Sequence, residues 1–339
     1  MSDTKAMILG ATGKSLSPDE IAFYGDEQPW GFILFARNIG EPNQIRDLVA
    51  AMRDSVGRAD APVFIDQEGG KVQRLRPPVA PNYPSAQSIG ALFQCDREAG
   101  LRAAWLLARL HAFDLAKLGI TSDCLPVLDV PVEGANDVIG SRAYGKNPET
   151  VIALGRATAE GLTAGGVLPV MKHVPGHGRA FADTHLALPT VDATRAELEA
   201  HDWAPFKALH DLPMAMTAHV IYSAIDPTRP ATTSRTVIAD VVRGAIGFDG
   251  LLISDDTSMK ALEGTFPEKA ERILDAGCDI VLHCNGVMEE MAGIASKTCE
   301  LAGRSLERAQ RVLDLAHAGD GIAEADARAE FAQHFEAVA

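Results

Sequence analysis

The chain has 339 residues, with 31 basic against 46 acidic side chains and a formal net charge of −15 at pH 7. Its 47% hydrophobic and 23% charged residues give the balance of a globular protein, long enough to bury a large core without disulfides or a structural metal. Such acidity, with no compensating Lys/Arg block, excludes a general nucleic-acid binder, because phosphate binding needs a concentrated positive surface. The five cysteines, Cys95, Cys124, Cys278, Cys284 and Cys299, are odd in number and show no CxxC spacing. Reduced, mostly buried thiols are therefore expected rather than a disulfide framework or a zinc knuckle. The N-terminal apolar run, Ala6 to Ala11, has six residues, short of a signal-peptide core and of a membrane span, so a cytoplasmic protein with no membrane partner is expected.

In chain order, short apolar runs recur at Ala6 to Gly10, Gly31 to Phe35, Pro62 to Asp66, Leu125 to Val130, Val167 to His173, Met214 to Val220, Leu251 to Asp255 and Asp279 to Cys284. Most are continuous rather than alternating, as expected of parallel strands buried on both faces. Amphipathic helical stretches lie between them: NQIRDLVAAMRDSV from Asn43, REAGLRAAWLLARLHAFDLAKLG from Arg97, and PETVIALGRATAEGLTAGG, which opens on Pro148 and ends in glycine. The gap between Asp66 and Leu125 leaves room for an extra loop before its helix. Pro126, Pro169 and Pro213 fall in or beside strand runs, where a missing N–H weakens a ladder. Eight strand–helix alternations point to an α/β fold, a (β/α)8 TIM barrel, with a doubly wound open sheet as the alternative. No linker or repeat marks a second domain. One catalytic domain over 1–339 is expected, its core at about 6–300 and its C-terminal helices at 304–339.

In such a barrel the site is built at the C-terminal ends of the strands. Six runs end in polar groups: Asp66, Asp129, Lys172 with His173, His219, Asp255 with Asp256, and His283. One such residue is usually a loop anchor, but six converging on one rim make a polar substrate site. The loop KHVPGHGRAFADTHLALP, Lys172 to Pro189, lacks HxH and HExxH spacing for a metal and GxSxG for a nucleophile elbow. It does place Asp183 two residues before His185, so the carboxylate can orient the imidazole as a general acid/base; a structural histidine is the alternative. In SDDTSM, Asp255 and Asp256 alternate faces, so one can point to the barrel axis while the other holds the loop. A carboxylate facing a proton donor is the arrangement of glycoside hydrolysis, and Asp66, Arg74 and Arg142 suit sugar hydroxyls or an anionic group.

FIDQEGGKVQR, PVLDV, IGSRAYG, KHVPGHGRAFADTH, AHVIY, GFDGLLISDDTSM and DAGCDIVLHCN, in this order from about Gly31 to Asn285, resemble glycoside hydrolase family 3. Within it they are similar to the single-domain bacterial β-N-acetylglucosaminidases of peptidoglycan recycling. The resemblance implies an exo-acting, retaining β-N-acetylhexosaminidase that acts on GlcNAc-1,6-anhydroMurNAc, with or without peptide. By position it makes Asp255 the nucleophile, His185 the proton donor and acceptor, and Asp183 its orienting partner. It makes Asp66, Arg74, Arg142, Lys172 and His173 the residues that bind N-acetylglucosamine. It implies no cofactor and no metal, and a monomer whose partner is a small sugar or muropeptide. The departures are Val174 for an aromatic, Thr184 for serine, Ser141 for an acidic residue and Thr257 for leucine; they bear on substrate preference. Competing readings are a phosphorylase, since a neutral histidine repels an anionic acceptor less than a carboxylate does, another family 3 β-glycosidase, a metal-dependent hydrolase using His173, His177, His185 and Asp255, and a sugar-binding barrel without turnover.

Overall fold

A computed structural model describes residues 3–134, 138–180, 188–315 and 319–335. Eight parallel strands form the frame: β1 Lys5–Gly10, β2 Pro29–Leu34, β3 Val63–Ile65, β4 Ser122–Asp123, β5 Leu168–Val174, β6 Met214–Thr217, β7 Leu251–Ile253 and β8 Val281–His283. They hydrogen-bond in the order β7-β6-β5-β4-β3-β2-β1-β8. A parallel bridge from Ile253 to Ile280 brings the two ends together. The expected (β/α)8 barrel is therefore the observed architecture, and the open-sheet alternative falls because both edges of that sheet meet.

Two apolar cores follow from the strand geometry, since successive residues face opposite sides. Ile8, Ile33, Phe64, Val170, Met214, Leu251 and Leu282 fill the barrel interior, whereas Leu9, Leu34, Ile65, Met171, Ala215 and Leu252 pack outward under the helices. Ala309 and Val312, on the Gly303–Asp314 helix, belong to the inner cluster, so this helix closes the barrel away from the polar rim. The last helix, Glu324–Ala332, docks on Arg97–Ala116 through Phe331 and ion pairs from Arg328 to Asp114 and from Glu330 to Arg102. Among the described residues no helix is long and apolar enough to cross a membrane.

Seven of the expected strands overlap the observed ones, and the fourth does not. Leu125 to Val130 is not a regular strand; β4 lies just upstream, at Ser122–Asp123. Pro126 has no N–H for a ladder, which leaves the polar residues before it to pair with β3 and β5. Val127 keeps a single bridge, to Lys172. Pro169 does sit inside β5, opposite Asp123, and Pro213 immediately precedes β6. The long gap after Asp66 holds a small hairpin, Gln67–Gly69 with Val72–Gln73, and an extra helix, Ala86–Cys95.

Candidate active site

The hairpin after β3 shows how a loop is made to hold an arginine. Gln67 Oε1 accepts from the Arg74 and Leu75 amides at 3.1 and 3.0 Å, and Gln73 Nε2 donates to the Leu75 and Pro81 carbonyls at 2.6 Å each. Gly69 and Gly70 turn the chain with φ of 90° and 58°, and a side chain at either would run into Pro84 or Ser85. Arg74 is thereby fixed over the Phe35 ring, 4.6 Å from its centroid, with its guanidinium 2.8 Å from Asp66 Oδ2.

Lys172, nearly fully buried at the end of β5, is the centre of the charged wall. Its Nζ lies 2.9 Å from Asp66 Oδ1 and 2.7 Å from Glu68 Oε1. Arg142 grips the same Glu68 in bidentate fashion, Nε to Oε2 and a terminal nitrogen to Oε1, both at 2.8 Å. Burial pushes each carboxyl toward neutrality, but the adjacent cations outweigh it. Lys172 and Arg74 hold Asp66 well below the usual carboxylate range, and Arg142 and Lys172 lower Glu68 to about 2. Burial likewise disfavours the Lys172 ammonium, yet Asp66 and Glu68 hold it above its ordinary value.

His173 is oriented from behind. Fully buried Asp129 accepts from His173 Nδ1 at 2.7 Å and from the His177 amide at 2.7 Å, and His173 and Asp66 face the same cavity. Burial raises Asp129, but its two histidine neighbours bring it down to about 2. Opposite them, at the end of β7, the two adjacent aspartates divide their work. Asp256 accepts from the amides of Cys284 and Ser258 at 3.1 and 3.0 Å and from the Ser258 hydroxyl, so it ties the β7 loop to β8. Asp255 accepts only the Asp256 amide, at 2.8 Å, among the described residues. Burial would raise its pKa, but His219, His173, that amide and Lys172 lower it, so Asp255 is a carboxylate at neutral pH.

These groups line a cavity of about 220 Å³ at the C-terminal ends of the strands, walled on its apolar side by Ile33, Phe35, Val72, Met216, Met259 and Leu282. Asp66, Arg74, Arg142, Lys172, His173 and Asp255 all reach it. His219 and His283 do not line it: His219 Nε2 is 3.0 Å from the Asp256 carbonyl, and His283 Nδ1 is 2.8 Å from the Thr257 hydroxyl. Asp183 and His185 lie outside the described residues. Glu68, which joins Lys172 to Arg142, is not among the residues expected from the sequence, although extended backbone puts residues i and i+2 on one face and Glu68 follows Asp66 by two. Among the described residues no three His, Cys, Asp or Glu side chains converge as a metal site.

His177 carries a pH prediction. Burial lowers its imidazole from 6.5 to about 4, Asp129 opposing, and its Nδ1 finds no partner among the described residues. A folded pKa below the unfolded one gives stability that is complete above about pH 6.5 and is lost as pH falls through about 4. The difference corresponds to roughly 3 kcal/mol. Urea unfolding at pH 7 and pH 4.5 should show most of that loss in the wild type and much less of it in His177→Gln, whose amide does not titrate; parallel slopes in both proteins would remove His177 as the cause.

Residues 21–315 match the glycosyl hydrolase family 3 N-terminal domain. The chain belongs to glycosyl hydrolase family 3. It is a glycoside hydrolase, and within the family it groups with the β-hexosaminidases. The beta-hexosaminidase of Methylococcus capsulatus is 40% identical over 282 residues, 82% of each chain. That of Alkalilimnicola ehrlichii is 38% identical over 283 residues, 82% of this chain and 80% of its own. Among solved structures, NagZ from Neisseria gonorrhoeae in complex with N-trifluoroacetyl-D-glucosamine superposes with a TM-score of 0.88 at 30% identity, covering 99% of both chains. A family 3 beta-N-acetylglucosaminidase from a Paenibacillus species gives 0.86 at 30% identity, over 98% of this chain and 67% of that one.

Proposed function

We propose that this family 3 enzyme is an exo-acting, retaining β-N-acetylglucosaminidase. Its substrate on this reading is a peptidoglycan fragment, GlcNAc-1,6-anhydroMurNAc with or without peptide, and it acts as a monomer in the cytoplasm. The observation that carries the reading is the ionised Asp255 carboxylate, which accepts a single amide among the described residues and faces a small cavity whose far wall is Asp66, Arg74, Arg142 and Lys172. A cavity of about 220 Å³ suits one sugar unit rather than a chain, which supports exo action. Ion-paired carboxylates and guanidinium groups can hold the sugar hydroxyls in two directions at once, as acceptors and donors.

In the first step Asp255 attacks the anomeric carbon, the glycosidic C–O bond breaks and His185 gives its proton to the leaving oxygen. In the second, His185 takes a proton from water, which attacks the same carbon and frees Asp255. Two inversions return the original anomeric configuration. Asp183, two residues away, orients the imidazole in this reading. The roles of Asp183 and His185 rest on the DxH motif of the loop after β5.

The test is to trap the intermediate with a 5-fluoro N-acetylglucosaminyl inhibitor and map the labelled peptide, beside turnover of chromogenic β-N-acetylglucosaminide and β-glucoside with and without EDTA. A label on Asp255 with chelator-insensitive turnover of the N-acetyl substrate is expected. A label elsewhere, turnover that needs added metal, or glycosyl phosphate as the main product in phosphate buffer would overturn it.

A further inference from the structure

We infer that Glu68 is the positioning residue of the sugar pocket, and that its charge keeps the pocket selective for a neutral sugar over an anion. The inference rests on the function proposed above. Glu68 is buried and is not among the side chains that line the cavity, whereas Arg142 and Lys172, the two cations it holds, are. It therefore acts through them. Both its oxygens are engaged among the described residues: Oε1 receives Lys172 Nζ at 2.7 Å and an Arg142 terminal nitrogen at 2.8 Å, and Oε2 receives Arg142 Nε at 2.8 Å. Asp66, the neighbouring carboxylate, is turned to Lys172 and Arg74 instead. Among the described residues the other hydrogen bond of Arg142 is a long 3.4 Å contact to the Val138 carbonyl, with Asp129 and Asp66 adding attraction from further off. Glu68 is thus the charged group that sets where the Arg142 fork points.

Charge makes the same case. Arg74, Arg142 and Lys172 face Asp66 and Glu68, which leaves this wall one positive charge in excess across the cavity from the Asp255 carboxylate. Glutamine at 68 would make that two, and its amide would present a donor to Arg142 Nε, which is also a donor. Arg142 would turn away from the wall and into the pocket, where an unpaired guanidinium is a ready binder of oxyanions.

The experiment compares wild type, Glu68→Gln and Glu68→Asp, with folding followed by circular dichroism. Binding of N-acetylglucosamine is measured by calorimetry, and aryl N-acetylglucosaminide hydrolysis is assayed across sulfate concentrations at constant ionic strength. Misplaced binding groups typically weaken a site by about tenfold or more. Glu68→Gln should weaken the sugar by that factor and acquire competitive inhibition by sulfate that the wild type lacks; Glu68→Asp keeps the charge on a shorter arm and should weaken the sugar without gaining the sulfate effect. Unchanged sugar affinity in both variants, or no new sulfate competition in Glu68→Gln, would overturn the inference. If Glu68→Gln does not fold, Glu68→Asp decides by its sugar affinity, and loss of fold in both would make Glu68 a stability residue and overturn it as well. A wild type that neither binds N-acetylglucosamine nor turns over the glycoside would instead sink the proposed function on which it stands.

Discussion

Asp255→Ala is expected to lower kcat by about 10⁴-fold or more, since on the proposed mechanism it removes the covalent nucleophile and with it the step that splits the reaction. The protein should remain folded and should still bind N-acetylglucosamine, because the Asp255 side chain accepts a single backbone amide among the described residues and the charged wall opposite is untouched. Asp256→Ala supplies the contrast. It removes three hydrogen bonds that tie the β7 loop to Cys284 and Ser258, at a cost of about 3 kcal/mol, so its loss should appear in stability. Steady-state kinetics beside thermal unfolding of both variants would separate the two. Substantial turnover by Asp255→Ala would move the nucleophile elsewhere, with Asp256 the first place to look.

His185→Ala should divide substrates by their leaving groups. An N-acetylglucosaminyl disaccharide needs its departing oxygen protonated, so its kcat/KM should fall by about 10² to 10⁴. An activated aryl glycoside leaves as a stable phenolate and should lose far less in the step that breaks the glycosidic bond. The measurement is kcat/KM, which reports that step, for a disaccharide and for a series of aryl glycosides of falling phenol acidity. A flat dependence on phenol pKa in the variant, with equal losses on every substrate, would remove His185 from the acid role. Asp183→Asn should reproduce part of the effect, since an amide holds the ring but does not favour the imidazolium.

Legibility in the sequence followed the range over which each feature is decided. Asp66, Lys172, His173 and Asp255 were readable because a strand that ends in a polar group announces itself within a few residues, and the barrel rule sends all such ends to one rim. The helix at Pro148–Ala164 carries its own start and stop, with the Asn147 side chain accepting from the Thr150 amide and Gly165 at the end. β4 was displaced because two polar residues, Ser122 and Asp123, read as loop; they are strand only because β3 and β5 pair with them on either side. Glu68 was passed over because its task depends on partners 74 and 104 residues further along, Arg142 and Lys172.

The alternation of strands and helices, the polar strand ends and the order of motifs that marks the family are all legible along the chain. These are local patterns of hydrophobicity and residue type, and they survive in one dimension. Folding in three dimensions selects which of two adjacent aspartates is held by the loop and which is left bare. It alone puts Asp129 behind His173 and locks Glu68 between Arg142 and Lys172. Those outcomes depend on burial and on charges brought within hydrogen-bond distance by chain closure. Neighbours of that kind set both the protonation of a buried group and the direction in which it points.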